Sequence, residues 1–257
     1  MLLHIVIGTL LAGVASVWIA WLLSRSFLAR YPAYMLSLAA GALLATAFIN
    51  LMPEAFESEY SAHTLFLVFL FGLFVVIVLD KVELWHHAHE HGHAEHDTHH
   101  GHMHSPTGAW SVLFGDGVHA FADGVLIASA FLADWNLGIA ASFAVLLHEV
   151  PHHMGDLAVV AGRNKHTNKA LLKVSMAGAM TIIGGLTGYA VIAQLEEWLP
   201  LFLVFAASSF AYVALADLIP QLNKLMHLKQ TVVQMLWLAG GALLVTATLT
   251  VVGGHAH

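Results

Sequence analysis

Two segments of this sequence place imidazoles and carboxylates in almost wholly apolar surroundings. The first, GDGVHAFADGVLIASAF, carries Asp116, His119 and Asp123; the second, AVLLHEVPHHMGDLAVV, carries His148, Glu149, His152, His153 and Asp156. Within them His119 and Asp123 are four residues apart, as are His148 and His152. On a helix such pairs share a face, with Cβ atoms about 5–6 Å apart. Two ligands at that spacing can grip one ion through bonds of about 2.0–2.2 Å. Imidazole with carboxylate suits Zn2+, Fe2+, Mn2+, Co2+ or Cd2+. Cysteine is absent, which removes thiolate sites and argues against Cu(I). His119, Asp123, His148 and His152 are the expected ligands. Asp116, His153 and Asp156 are further candidates for the metal or its path. A step of one residue turns a helix by about 100°, so His153 is expected on a different face from His152.

The elements that position these residues follow from composition. Hydrophobic residues make up 59% of the 257 and charged ones 10%, against about 25% charged in soluble domains. Spanning a bilayer takes about 20 apolar residues. Eight such stretches can be drawn, at 2–23, 34–53, 64–84, 107–132, 137–161, 171–194, 200–220 and 231–252. The sequence thus predicts an all-α integral membrane protein of eight transmembrane helices, one transport domain over residues 1–257 embedded in the lipid bilayer. The first stretch is read as a retained helix, since its apolar run is longer than the 7–15 residues of a signal-peptide core. The metal-ligand strings fall on helices 4 and 5. An Asp near the bilayer centre costs about 2.5–3.5 kcal/mol even on lenient scales, and a bound cation offsets several such groups at once. From outer ends near 132 and 137, Asp123 and His119 lie about 13 and 19 Å deep, and His148 and His152 about 16 and 23 Å. Pro151, inside the fifth stretch, removes a backbone donor and frees the Leu147 carbonyl beside His148. Asn50 and Glu54, ending the second stretch, and Asp217, near the inner end of the seventh, are read as capping or interfacial groups.

Lys and Arg set the orientation. All nine, namely Arg25, Arg30, Lys81, Arg163, Lys165, Lys169, Lys173, Lys224 and Lys229, fall on one side if eight spans run with both termini outside. The alternate loops hold Glu54, Glu57, Glu59, Asp134, Glu196 and Glu197. Spans 1–3 and 6–8 then start on opposite sides, which permits a 3+2+3 arrangement around helices 4 and 5. Small residues four apart, Gly41/Ala45 and Gly184/Gly188, allow close helix contact. Residues 85–106 form a His-rich cytoplasmic loop between helices 3 and 4. Its core, His86 to His104, has ten histidines in nineteen residues and reads as a flexible chelating segment. The net charge of −7 with scattered basic residues excludes a nucleic-acid role.

HAFADG (119–124) and HEVPHHMGD (148–156) resemble the fourth- and fifth-helix motifs, HNFxDG and HExPHExGD, of the histidine-rich branch of the ZIP (Zrt/Irt-like) zinc and iron permeases. FAYVALADLIPQL and LMPEAF are similar to that family as well. The resemblance implies an integral protein of the plasma (inner) membrane that moves a divalent metal, zinc foremost, into the cytoplasm by alternating access. It needs no cofactor, is not an enzyme, and has a homodimer as an assembly to test. It implies a primary site of His119, Asp123, His148 and His152, with Glu149 and a shared Asp123 in a second. Two departures bear on that second site: Ala120 replaces the family Asn, and His153 replaces the second Glu. HEVPH also matches HExxH, the zinc-protease signature in which two His bind zinc and Glu is the base. That makes an intramembrane metalloprotease one alternative. A cation-diffusion-type metal exporter, which uses similar His/Asp pairs on six spans, is another.

Overall fold

The computed structural model describes residues 1–26, 30–89, 106–161, 167–222 and 228–253. Eight long helices run through them: α1 Leu2–Leu23, α2 Pro32–Phe56, α3 Ala62–His89, α4 Pro106–Ala133, α5 Trp135–Ala161, α6 Asn168–Ile192, α7 Leu199–Leu222 and α8 Leu228–Gly253. Seven carry stretches long and apolar enough to cross a membrane; α5 does not meet the apolarity criterion. Its 27 residues are ample in length, at about 1.5 Å each. The shortfall comes from the polar cluster on its C-terminal half. The helix is shielded: α5 packs against α1, α2, α4, α6 and α8.

Sequence explains why each helix sits where it does. α3 and α8 leave most of their surface open, with Phe66, Leu67, Phe71 and Phe74 on α3 and Leu236 and Leu243 on α8 exposed. An apolar skin of this kind suits lipid rather than water. α5 buries Ala140, Ala141 and Ala144, small residues that bring its neighbours close, before its polar half begins. The helices α4 and α5 are joined through Asp134 alone, whose Oδ1 accepts from the backbone N–H of Asn136 at 2.7 Å and of Leu137 at 3.2 Å. This is an N-cap for α5.

The small-residue pairs act as expected. Gly184 of α6 lies on the backbone of Phe121 in α4, and Gly188 on Val125. Gly41 of α2 lies on the Leu238 carbonyl of α8. Two features differ from expectation. α3 continues as helix to His89, so the first histidines of the His-rich stretch belong to a helix rather than a loop. The rest of that loop, the basic residues Arg163, Lys165 and Lys224, and the side chain of Asp217 lie outside the described residues. Asn50 is not an interfacial cap: it is buried in a π-helical turn of α2, Thr46–Leu51, and neither polar atom of its amide has a hydrogen-bond partner.

A Cβ added at Gly184 would strike backbone that cannot yield. Gly184→Ala should therefore cost about 1–3 kcal/mol, seen as a lower melting temperature in detergent. Gly155→Ala, with nothing within 4 Å, should melt within about 0.5 kcal/mol of the parent. Equal melting of both variants would mean that α4 and α6 are not in backbone contact.

Candidate metal centre

Asp116, His119 and Asp123 follow one another by three and four residues, so one stripe of α4 carries all three. The facing stripe of α5 carries His148, Glu149, His152, His153 and Asp156. The antiparallel pair brings these stripes together in the interior, where Asp116, Asp123, His148, Glu149, His153 and Asp156 are buried.

The outer part of the cluster centres on His119. Its Nε2 lies 3.4 Å from His148 Nε2, 3.8 Å from Glu149 Oε1 and 3.9 Å from Asp123 Oδ2. Donor atoms held at about 2.0–2.2 Å around one tetrahedral ion are about 3.3–3.6 Å apart, so these separations are within a few tenths of an ångström of a ligand set. The inner part centres on His152, whose Nδ1 lies 3.2 Å from Asp156 Oδ2 and 3.6 Å from Asp116 Oδ1. His153 joins the two, with Nε2 at 3.2 Å from Glu149 Oε2 and 3.7 Å from Asp116 Oδ1.

The arrangement fits a cation. Both oxygens of Glu149 are buried and accept no hydrogen bond. A buried carboxylate without donors is costly unless a positive charge supports it. Three overlapping triads, His119/His148/Glu149, Asp116/Glu149/His153 and Asp116/His152/Asp156, each bring their ligand atoms within 4.8 Å of one another.

Of the expected quartet, His119 and His148 come together with Glu149 as one group, while Asp123 lies outside that group and approaches His119 at 3.9 Å. His152 does not point the same way. Its ring centroid is 5.7 Å from that of His119 and 6.0 Å from that of His148, but its Nδ1 turns to the deeper carboxylates. Its side chain is 40% exposed, so it borders open space. His153 departs furthest from expectation. The offset of one residue does not carry it out of the cluster, because α5 is enclosed on several sides and polar atoms meet it on more than one face. His152 turns toward Asp116 and the open side, while His153, fully buried, turns toward Asp116, Glu149 and Ser16 of α1. Ser16, 3.0 Å from His153 Nδ1, was invisible in the sequence. One hydroxyl in an apolar span is an ordinary helix residue until its partner is known.

A bundle of apolar helices with a buried His/carboxylate ladder is the build of a membrane protein that handles metal ions. The sequence model of the ZIP zinc transporter family matches residues 82–248. The chain is similar to the human zinc transporter ZIP10, 38% identical over 149 residues, which are 54% of this chain and 17% of that protein. It is similar to human ZIP4, 37% identical over 115 residues, 45% of this chain and 18% of that protein. Similarity to human ZIP6 is 34% identity over 114 residues, 44% of this chain and 15% of that protein. The matched stretch is thus less than a fifth of the length of these relatives. The chain belongs to the ZIP family of zinc transporters, which are integral membrane proteins and not enzymes. The metalloprotease reading of HEVPH falls with that assignment, and so does the cation-diffusion reading.

Replacing His119 by Ala removes the atom on which His148, Glu149 and Asp123 converge. Zinc affinity of the purified protein should fall by about 100-fold or more, since even outer partners of ligands are worth about 10–100-fold. Equilibrium dialysis against buffered zinc checks this; a change under about threefold would remove His119 from the site.

Proposed function

We propose that the protein carries a divalent transition metal, zinc foremost, across the bilayer into the cytoplasm by alternating access along the ladder between α4 and α5. The observation that carries this reading is the continuity of the ladder. Ligand atoms step from Asp123, His119, His148 and Glu149 to Asp116, His152 and Asp156 without an apolar gap. A structural salt-bridge network would satisfy its own carboxylates, whereas Glu149 keeps two oxygens free of hydrogen bonds. In this reading His119, Asp123, His148, Glu149 and His152 bind the ion, and Asp116, Asp156 and His153 continue its path inward. His152, bordering open space with its ring about 6 Å from His119 and His148, is the side chain best placed to pass an ion between the levels.

The topology completing this reading has eight membrane crossings, including α5, in a 3+2+3 order with both termini outside. The His-rich segment after α3 then lies in the cytoplasm, where its imidazoles buffer arriving ions. Plasma membrane insertion, a homodimer, and transport of Fe2+, Mn2+, Co2+ or Cd2+ belong to the same proposal. The acidic loops on the outer face and basic residues on the inner one support the orientation.

Reconstituted vesicles should take up labelled Zn2+, with unlabelled divalent competitors ranking the ions. Uptake no greater than in empty vesicles would refute transport by this chain. Orientation is tested separately: Ser61→Cys and Ser105→Cys should react with impermeant maleimide from opposite sides in intact cells, and labelling from one side would overturn the eight-span topology.

A further inference from the structure

We infer that an acidic glycerophospholipid seats on the membrane-facing seam between α1 and α6, with its phosphate held by Arg25, Lys169 and Lys173 at the basic end of the bundle.

The seam starts at a crossing. Gly13 of α1 and Gly178 of α6 face each other so closely that a Cβ on either would strike the other's carbonyl oxygen. The two helices run antiparallel, and toward their basic ends the sides they turn to the protein are sealed. Val17 and Ala20 of α1 share one buried core with Ala170, Leu171, Val174 and Ala177 of α6. What the helices leave open is apolar along its length and basic at its end. On α1, Trp18 and Leu22 are 50% and 61% exposed, and Arg25 follows on the same face, in the turn that closes the helix. On α6, Met176 and Leu172 are 66% and 64% exposed. Lys169, also exposed, lies one turn before Leu172 on that face, with the half-buried Lys173 at its edge. Measured from the glycine crossing at about 1.5 Å per residue, Arg25 lies about 18 Å along α1 and Lys169 about 14 Å along α6, so the bases reach one level.

Charge selects the occupant. No Asp or Glu occurs in residues 1–53 or 157–195, so neither helix nor the residues flanking it bring a counter-charge to these bases. Lys81, by contrast, has Asp80 before it and Glu83 two residues on. The Arg25 guanidinium lies over the Trp21 ring, 3.8 Å from its centroid, and Trp18 meets Trp21 edge to face at 6.3 Å. Stacking occupies the face of the guanidinium and leaves its in-plane N–H donors, the fork that matches phosphate oxygens. Among the described residues Arg25 and Lys169 form no ion pair. Tryptophan beside a base is the pairing that meets headgroup and acyl chain together at a membrane interface. The acyl chains lie along the Trp18/Leu22 and Leu172/Met176 stripes, and the phosphate meets the bases. A zwitterionic lipid brings its own cation to the same place and gains less; a water-soluble anion gains nothing from the stripes. A lipid so placed braces α1 where Val17 and Ala20 share a core with Val150 and Leu157 of α5, one wall of the ladder.

The test compares dioleoyl phosphatidylglycerol with dioleoyl phosphatidylcholine on the full chain in detergent, by native mass spectrometry of retained lipid and by melting temperature. The wild type should retain phosphatidylglycerol in preference and melt higher in its presence. One base beside an acidic lipid is worth about fivefold in affinity, so Arg25→Gln with Lys169→Gln should weaken phosphatidylglycerol about 25-fold. The same double variant should lose the melting shift, each protein being compared with itself in phosphatidylcholine. Lys81→Gln with Lys229→Gln removes the same charge elsewhere and should leave both readouts as in the wild type. An equal loss in that second pair overturns the seat, since charge anywhere then suffices. A wild type that does not distinguish the two lipids overturns it as well. Inorganic phosphate that stabilises the protein as much as phosphatidylglycerol does would replace the lipid with a free anion. A wild-type dimer that the Arg25/Lys169 variant loses would put a second copy of the chain on the seam instead.

Discussion

Everything in this protein is arranged around one difficulty: a carboxylate, Glu149, sits in the middle of a helix bundle with both oxygens shut off from solvent and from hydrogen-bond donors. Water cannot reach it, and no Lys or Arg lies on the spans that surround it except near their ends. Two imidazoles flank it, one on each oxygen. The bundle can accept this cluster because the helix that carries it packs against five others. Placing His148, Glu149 and Asp156 on α3 or α8 would expose them to lipid; on α5 they face other protein polar groups.

Enclosure of α5 in turn dictates the neighbouring sequences. Its outer half is rich in alanine, so that α1, α2 and α4 can approach, and α4 is held on its far side by the glycine stripe of α6. Tight backbone contact there leaves α4 little freedom to turn, which keeps Asp116, His119 and Asp123 on the face toward α5. The ladder is therefore a product of packing on both sides of it: small residues behind α4 and around the upper part of α5 bring two polar stripes to ligand distance.

How much of this could be read from sequence differs by level. Seven spans were legible because long apolar stretches separated by charge have no soluble interpretation, and α5 was legible as a helix because its polar residues repeat with helical spacing. The four-residue spacing of His119/Asp123 and His148/His152 was legible for the same reason, but His152 groups with Asp116 and Asp156 and not with His148. What spacing could not supply was the direction of each imidazole. His152 turns inward to Asp156 and Asp116, and His153 lies inside the cluster, because the partners of both are set by tertiary neighbours. The burial of Asn50 was missed because a π-helical turn shifts the face on which a residue emerges, and a count of 3.6 per turn does not foresee that shift. Ser16 lies beyond a turn of the same kind.

The single-residue joint at Asp134 has a consequence for how the polar cluster is held. Alone, the α5 sequence would partition poorly into hydrocarbon, since five of its side chains are ionisable and the pairs it forms within itself, His152/Asp156 and Glu149/His153, still leave the Glu149 oxygens without a hydrogen-bond donor. Because α4 ends at Ala133 and α5 begins at Trp135, the two form an antiparallel hairpin in which Asp116 and His119 lie against the α5 stripe. The short connection thus ties the costly helix directly to its complement and leaves little slack by which the two stripes could part.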